Sequence, residues 1–196
     1  MSVYFKKDFD SVWHADLWAN MKKYISTNLI RVIKNLFDKA TSAVLFSGSV
    51  GNWFRTTFGV RQGCLLSPTL FNIFLERIMA DTVEEHEGTV SIGGRTITNL
   101  CFADDMDDLA GEEEELAKLD EHLDKVSTAH DMEISAEKTK QMTNNTSGIN
   151  TEVKVSEQKL ETVTSFKYLD SVITDEGSKP EILSRIAKMT AALTRF

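Results

Sequence analysis

Phe102-Ala103-Asp104-Asp105 lies between two runs that read as β-strands, Thr96 to Cys101 and Met106 to Ala110. The order strand, short acidic turn, strand predicts a hairpin. Adjacent carboxylates at such a tip repel each other and are costly unless a cation sits on them. Mg²⁺ suits the position, because it takes one or two carboxylates and completes its shell with water and phosphate oxygens. Taken alone, the dipeptide fits a solvated surface turn better, since Asp is a common turn residue. The flanks reverse that reading.

Upstream, Val90-Ser91-Ile92 and Thr96-Ile97-Thr98 flank Gly93-Gly94, a two-residue hairpin turn. Before that, Leu70, Ile73, Phe74, Arg77 and Ile78 recur at helical spacing, with Ser67 expected as the N-cap and Pro68 in the first turn. Ser42 to Phe46 and Trp53 to Val60 are β-type runs joined by a turn-rich segment, Ser47 to Asn52. Nearer the start, Leu17, Met21 and Tyr24 mark one helix and Ile30, Ile33, Leu36 and Phe37 a second, while Val3-Tyr4-Phe5 reads as a short buried strand. Downstream, Leu116, Leu119, Leu123 and Val126 predict a helix whose start carries Glu112 to Glu115, the signs that favour its dipole. Met132 to Ser135, Gln141 to Thr143, Val153 to Val155 and Phe166 to Leu169 read as short strands. Thr146 to Asn150 is the best boundary, and Ile182, Ile186, Met189 and Leu193 predict a last helix. Helices and strands mix without regular βαβ alternation, so the expected class is α+β: a mainly antiparallel sheet with helices on one face.

The 196 residues suit one domain with an appendage, and no run approaches the roughly 18 apolar residues of a membrane span. The Lys6-Lys7 pair precedes no long apolar stretch, so no signal peptide is expected and the chain reads as intracellular, nuclear or cytoplasmic. Cys64 and Cys101 have no metal-type spacing and fit free thiols. The net charge of −8 argues against a nucleic-acid binder, yet it is uneven. Residues 1–60 hold eight basic and four acidic side chains, a local +4, and the rest of the chain carries −12.

A set of motifs in order resembles the palm of reverse transcriptases from non-LTR, LINE-type retrotransposons. Phe5-Lys6-Lys7-Asp8-Phe9-Asp10-Ser11-Val12-Trp13-His14 resembles motif A. Gly59-Val60-Arg61-Gln62-Gly63-Cys64-Leu65-Leu66-Ser67-Pro68-Thr69-Leu70-Phe71-Asn72 resembles motif B, and Phe102-Ala103-Asp104-Asp105 motif C. Ala136-Glu137-Lys138-Thr139-Lys140 resembles motif D, and Phe166-Lys167-Tyr168-Leu169 the hairpin after it. The resemblance implies RNA-templated DNA synthesis by two-metal phosphoryl transfer, with an RNA template, a DNA primer and deoxynucleoside triphosphates as partners. Mg²⁺ is the implied cofactor and Mn²⁺ its alternative.

Roles follow by position. Asp104 and Asp105 would hold the metal ions, which in such sites stand about 3.5–4 Å apart. Phe9 would be the ring that excludes a ribose 2′-hydroxyl by volume. Arg61, Gln62 and Gly63 would line the incoming nucleotide, and Lys138 would stand near the pyrophosphate as charge stabiliser or proton donor. Without the motifs, Phe9 fits a core residue, Lys138 a solvated lysine and Gln62-Gly63 an ordinary loop. The same frame divides the chain into a palm over 1–145 and a post-palm hairpin with the start of a thumb-like helix over 146–196.

The sequence also departs from the family. Tyr4 occupies the position of the motif A metal-binding Asp, and a phenol with a pKa near 10 is a poor Mg²⁺ ligand. Asp8 stands where a small Ala is usual, Asp108 where an apolar residue is expected, and Asp170 where Gly follows Phe-Lys-Tyr-Leu. A fingers segment would precede residue 1 and a thumb would follow Phe196. These departures predict no polymerisation by this chain alone. A non-catalytic remnant or nucleic-acid-binding module is the alternative. A small Mg²⁺ phosphohydrolase would need a water-activating base near Asp104, and the sequence points to none. Oligomeric state is open.

Overall fold

The computed structural model describes residues 1–84, 86–143, 153–155, 158–169, 171–175, 177 and 179–193. The expected loop Thr146–Asn150 and the Asp170 position lie outside the described residues. In chain order the first elements are β1 (Ser2–Val3), α1 (Asp8–Ser11), α2 (His14–Met21), α3 (Thr27–Asp38), β2 (Leu45–Phe46), β3 (Ser49–Val50) and α4 (Ser67–Val83). Next come β4 (Ser91–Ile92), β5 (Arg95–Thr96), β6 (Asn99–Phe102), β7 (Asp105–Asp108) and α5 (Glu113–Ala129). The chain continues through β8 (Lys140–Gln141), β9 (Lys154–Val155), β10 (Gln158–Lys159), β11 (Glu161–Thr162), β12 (Ser165–Tyr168), β13 (Ser171–Thr174) and α6 (Lys179–Leu193). Two compact units result, one from 1–5, 85–124 and 134–196, the other from 6–84 and 125–133.

The first unit is built on a five-stranded sheet in the order β11-β8-β1-β7-β6. β1 pairs antiparallel with both β7 and β8, β7 pairs antiparallel with β6, and β11 joins β8 in parallel. The sheet is therefore mainly antiparallel, as the sequence predicts. Val3, Met106, Leu119 and Leu123 are fully or almost fully buried, so β1, β7 and α5 contribute to one apolar core. Val3-Tyr4-Phe5 forms less strand than expected: β1 ends at Val3, and Phe5 makes only an isolated bridge to Ile134. Asp108 is buried at 1% exposure where an apolar side chain was expected.

The acidic run before α5 sits in its first turn, as the helix dipole favours. Glu115 does more than favour the dipole. Its carboxylate accepts hydrogen bonds from the Thr89 backbone N–H at 2.8 Å, from Gly111 N–H at 2.9 Å and from the Thr89 hydroxyl. Burial alone would raise Glu115, yet these donors outweigh it and hold the carboxyl below its usual range.

The second unit is a helical layer with a β-ribbon. α4 buries Leu70, Phe74 and Ile78 as its periodicity marks, and adds Phe71 and Leu75 beside them, while Ile73 and Arg77 of the same pattern are only half-buried. α2 packs against α4 through Leu17 and Met21, both fully buried, and α3 adds Ile30 and Ile33. Two expectations shift. Tyr24 lies beyond the end of α2 and is exposed, because the helix stops at Met21. Ser67 is the first residue of α4 and Leu66 its N-cap; the Ser67 hydroxyl donates instead to the Arg61 carbonyl at 2.6 Å. The β-runs around Ser47 close more tightly than predicted, with β2 and β3 turning through Ser47 and Gly48, both at positive φ.

Candidate functional site

β6 and β7 pair as Cys101↔Met106 and Phe102↔Asp105, which leaves Ala103 and Asp104 as a two-residue turn. Ala103 takes φ 55, in the left-handed region that a Cβ disfavours. The turn presents Asp104 to solvent with Asp105 half-buried beside it. Burial first, and then the charge of Asp104, raise the Asp105 carboxyl above its ordinary range; the Lys167 ammonium opposes that rise. Lys167 thus stands close to the acidic tip. Its neighbour Tyr168 is pushed up by burial and then by the charges of Asp107, Cys101 and Asp105. The paired strands β12 and β13 hold both side chains, so the Phe166–Leu169 hairpin lies against the tip.

β1 is in register with β7 as Ser2↔Asp107 and Val3↔Met106, and Tyr4 follows directly on the last pair. The Tyr4 backbone is fixed on its other side: its N–H donates to the Thr139 hydroxyl at 3.2 Å and its carbonyl accepts from Ser135 N–H at 2.7 Å. Lys138 belongs to that segment and is exposed. Tyr4 and Lys138 line one cavity of about 550 Å³, together with Lys140, Phe166 and Lys167. The first unit thus holds Tyr4 and Lys138 on this cavity, and Asp104 and Asp105 at the β6–β7 turn.

Phe9 and the Arg61-Gln62-Gly63 segment fall in the second unit. Gly59 N–H donates to the Val12 carbonyl at 2.8 Å and Val60 N–H to the Phe9 carbonyl at 2.7 Å, so motif B starts against motif A. Gly59 has φ 84, and a Cβ there would stand 3.2 Å from the Asp10 carbonyl oxygen. Only glycine permits that approach without strain. The Phe9 ring is stacked on Phe71, with centroids 4.8 Å apart and planes 12° from parallel. Arg61 and Gln62 line a cavity of about 400 Å³ with Asp10, His14, Phe37 and Phe58. Gly63 has φ 84 with open space where a Cβ would lie.

Two contributors escaped the sequence reading. His14 donates from Nε2 to the Gly59 carbonyl at 2.8 Å and meets Phe37 edge-on at 5.0 Å. It pins the junction of the two motifs. Its position at the end of motif A was the available signal. Lys167 sat in a recognised motif, but nothing in the linear order joins it to Asp105.

The chain belongs to the reverse transcriptase (RNA-dependent DNA polymerase) family, which its residues 1–173 match. Within that family it is a reverse-transcriptase domain of the non-LTR retrotransposon type. It is 30% identical over 107 residues to a Pol polyprotein of the type-1 retrotransposable element R2 from Popillia japonica, covering 54% of this chain and 18% of that protein. It is 32% identical over 102 residues to the corresponding R2 polyprotein of Nasonia vitripennis, covering 52% of this chain and 10% of the relative. The RNA-directed DNA polymerase from mobile element jockey of Drosophila melanogaster is 29% identical over 119 residues, covering 59% of this chain and 12% of the relative. The match thus spans less than a fifth of the length of each of these relatives. Among the described residues, no helix is long and apolar enough to cross a membrane.

Proposed function

We propose that residues 1–145 are a reverse-transcriptase palm whose metal site is incomplete, and that 146–196 supply the hairpin and helix leading out of it. What supports this reading is Tyr4, a phenol at the sequence position where the family has a carboxylate, one residue past the pairing of Val3 with Met106 and so close in register to the strand that starts at Asp105. The donor set fits one divalent cation in part. Asp104 and Asp105 are adjacent hard oxygen donors, and their mutual repulsion favours a cation. Among the described residues, however, no three His, Cys, Asp or Glu side chains converge on a common point. The pair suits a single Mg²⁺, or Mn²⁺, that takes its remaining ligands from water and phosphate. When bound, such an ion would polarise a phosphoryl group and favour ionisation of an attacking hydroxyl.

The other side chains keep the roles their positions suit. Lys138, Lys140 and Lys167 line a cavity wide enough for phosphate groups together with Glu137, Lys140 being ion-paired to Glu161, and the exposed Lys138 would neutralise a leaving pyrophosphate. Phe9, held flat by Phe71, would present its ring to a nucleotide sugar. Arg61 and Gln62 would meet the nucleotide or its template partner. The partners are an RNA template, a DNA primer and deoxynucleoside triphosphates. With Tyr4 in place, the chain by itself binds Mg²⁺ weakly and does not extend a primer.

Primer extension on an RNA template with Mg²⁺ or Mn²⁺, beside Mg²⁺ titration of the parent and Tyr4→Asp chains, tests both parts. The expected result is no extension by the parent and at least tenfold tighter Mg²⁺ binding by Tyr4→Asp. Extension by the parent that disappears in Asp104→Ala would overturn the claim of inactivity. Unchanged Mg²⁺ affinity in Tyr4→Asp would remove position 4 from the explanation.

A further inference from the structure

No residue from Thr41 to Phe54 is buried, although the stretch is folded. β2 and β3 form a sheet of their own, paired as Leu45↔Val50 and Phe46↔Ser49. Ser42 and Phe54 exchange both N–H···O bonds at 2.8 Å, and Gly51 N–H donates to the Val44 carbonyl at 2.8 Å. Backbone bonds thus order the ribbon, yet a two-stranded ribbon with neither face covered is marginal in water. Its side chains are nonetheless apolar. Phe46 is 78% exposed, Leu45 70% and Trp53 68%, with Val44, Val50 and Phe54 also open. By alternation Leu45 and Val50 project from one face and Phe46 from the other, so either face offers an apolar contact.

Charge and area point to the occupant. Ala40 to Phe54 contain no Asp, Glu, Lys, Arg or His. The charges beside this run are balanced in sign: Asp38 and Lys39 precede it, and Arg55 after it shares a groove with Asp10. Two copies of a chain of net charge −8 repel each other. A twofold contact also sets side chains near their own twins, so a charge at its centre meets a like charge. A neutral apolar ribbon is free of that repulsion. A partner of different sequence imposes no such neutrality, because opposite charges can then select it. At their fractional exposures the six apolar side chains offer on the order of 700 Å², near the roughly 800 Å² that each side brings to a standard interface.

We infer that the β2–β3 ribbon is a self-association surface, on which the ribbon of a second copy of this chain packs about a twofold axis. The inference depends neither on the acidic tip nor on the reverse-transcriptase reading. Sedimentation velocity of the full chain, from micromolar to submillimolar concentration, tests it. A concentration-dependent dimer is expected. Phe46→Asp and Phe46→Lys are each expected to raise the dimer dissociation constant at least tenfold. The thermal unfolding midpoint of the dilute monomer should be kept, because the side chain is exposed. An equimolar mixture of the two variants is expected to recover the dimer, since opposite charges then meet across the axis. Ile182→Ser/Met189→Ser, on the exposed stripe of α6, is expected to leave the constant unchanged. A chain that stays monomeric throughout the range overturns the inference. A dimer that both Phe46 variants leave intact, or that the α6 variant abolishes, places the contact elsewhere and also overturns it. Charged variants that dissociate the dimer and fail to recover it on mixing refute the packing of ribbon on ribbon.

Discussion

Replacing Asp108 by Asn is expected to change the pH dependence of stability more than any other single substitution in the sheet. Asp108 on β7 is 1% exposed and Asp120 on α5 is 0% exposed. None of their four carboxylate oxygens has a hydrogen-bond partner among the described residues. Burial raises both from an aspartate's ordinary 3.8 to about 7. Asp107 raises Asp108 further, Asp108 and Asp124 raise Asp120, and the amino group of Met1 opposes both rises. The sign follows directly. Between pH 4 and 7 the unfolded chain has lost these protons and the folded chain keeps them, so stability is full below about pH 4 and declines as pH rises towards 7. At ~1.4 kcal/mol per pH unit over about three units, one such group accounts for roughly 4 kcal/mol. The pair gives less than twice that, because part of the rise at Asp120 comes from the charge of Asp108. Asn keeps the shape and has no charge to lose, and its own cost of burial does not vary with pH. Urea unfolding of parent and Asp108→Asn at pH 4, 6 and 8 should therefore show a difference that grows in favour of the variant by about 2–4 kcal/mol from pH 4 to 8. A difference that stays constant across that range would refute the reasoning, since it would mean Asp108 ionises alike in both states.

Ala103→Gly should stabilise the chain by about 1 kcal/mol, because Ala103 takes φ 55 at the acidic turn; equal or lower stability in thermal unfolding would contradict this. Gly59→Ala should destabilise by about 1–3 kcal/mol, as φ is 84 and a Cβ would press on the Asp10 backbone; chemical denaturation reads it. Glu115→Gln should cost about 1–2 kcal/mol at neutral pH by weakening the bonds from Thr89 and Gly111. The Glu115 carboxyl is held low, so its contribution is present above the usual carboxylate range and is lost on acidification; the variant and parent should converge at low pH. Phe74→Ala should cost about 3–5 kcal/mol, because the ring is fully buried in α4 and meets His130 edge-on.

The long helices were legible because their apolar spacing is unambiguous: α4 buries Leu70, Phe74 and Ile78 as the pattern requires. The Gly93-Gly94 hairpin was legible for an equally local reason, since both residues take positive φ in the turn between β4 and β5. Boundaries were less so. Tyr24 continues the helical spacing of Leu17 and Met21 but falls past the helix end, and Ser67 satisfies the rule for an N-cap but spends its hydroxyl on the Arg61 carbonyl. Ile182, Ile186 and Met189 have the spacing of a buried stripe and lie exposed on α6, because spacing marks which side chains share a face and not what covers it.

Local chemistry in the sequence determined the acidic turn, the glycine at 59, the helices and the family, because each depends on residue types a few positions apart. Only the tertiary structure decided what those residues meet. Strand register carries Val3 to Met106 across a hundred positions of chain, the β12–β13 hairpin brings the charge of Lys167 to bear on Asp105, and Asp108 on the sheet bears on Asp120 of α5. Pairing and burial of this kind are properties of strands and helices distant in the chain, and charge is costly or useful according to those neighbours.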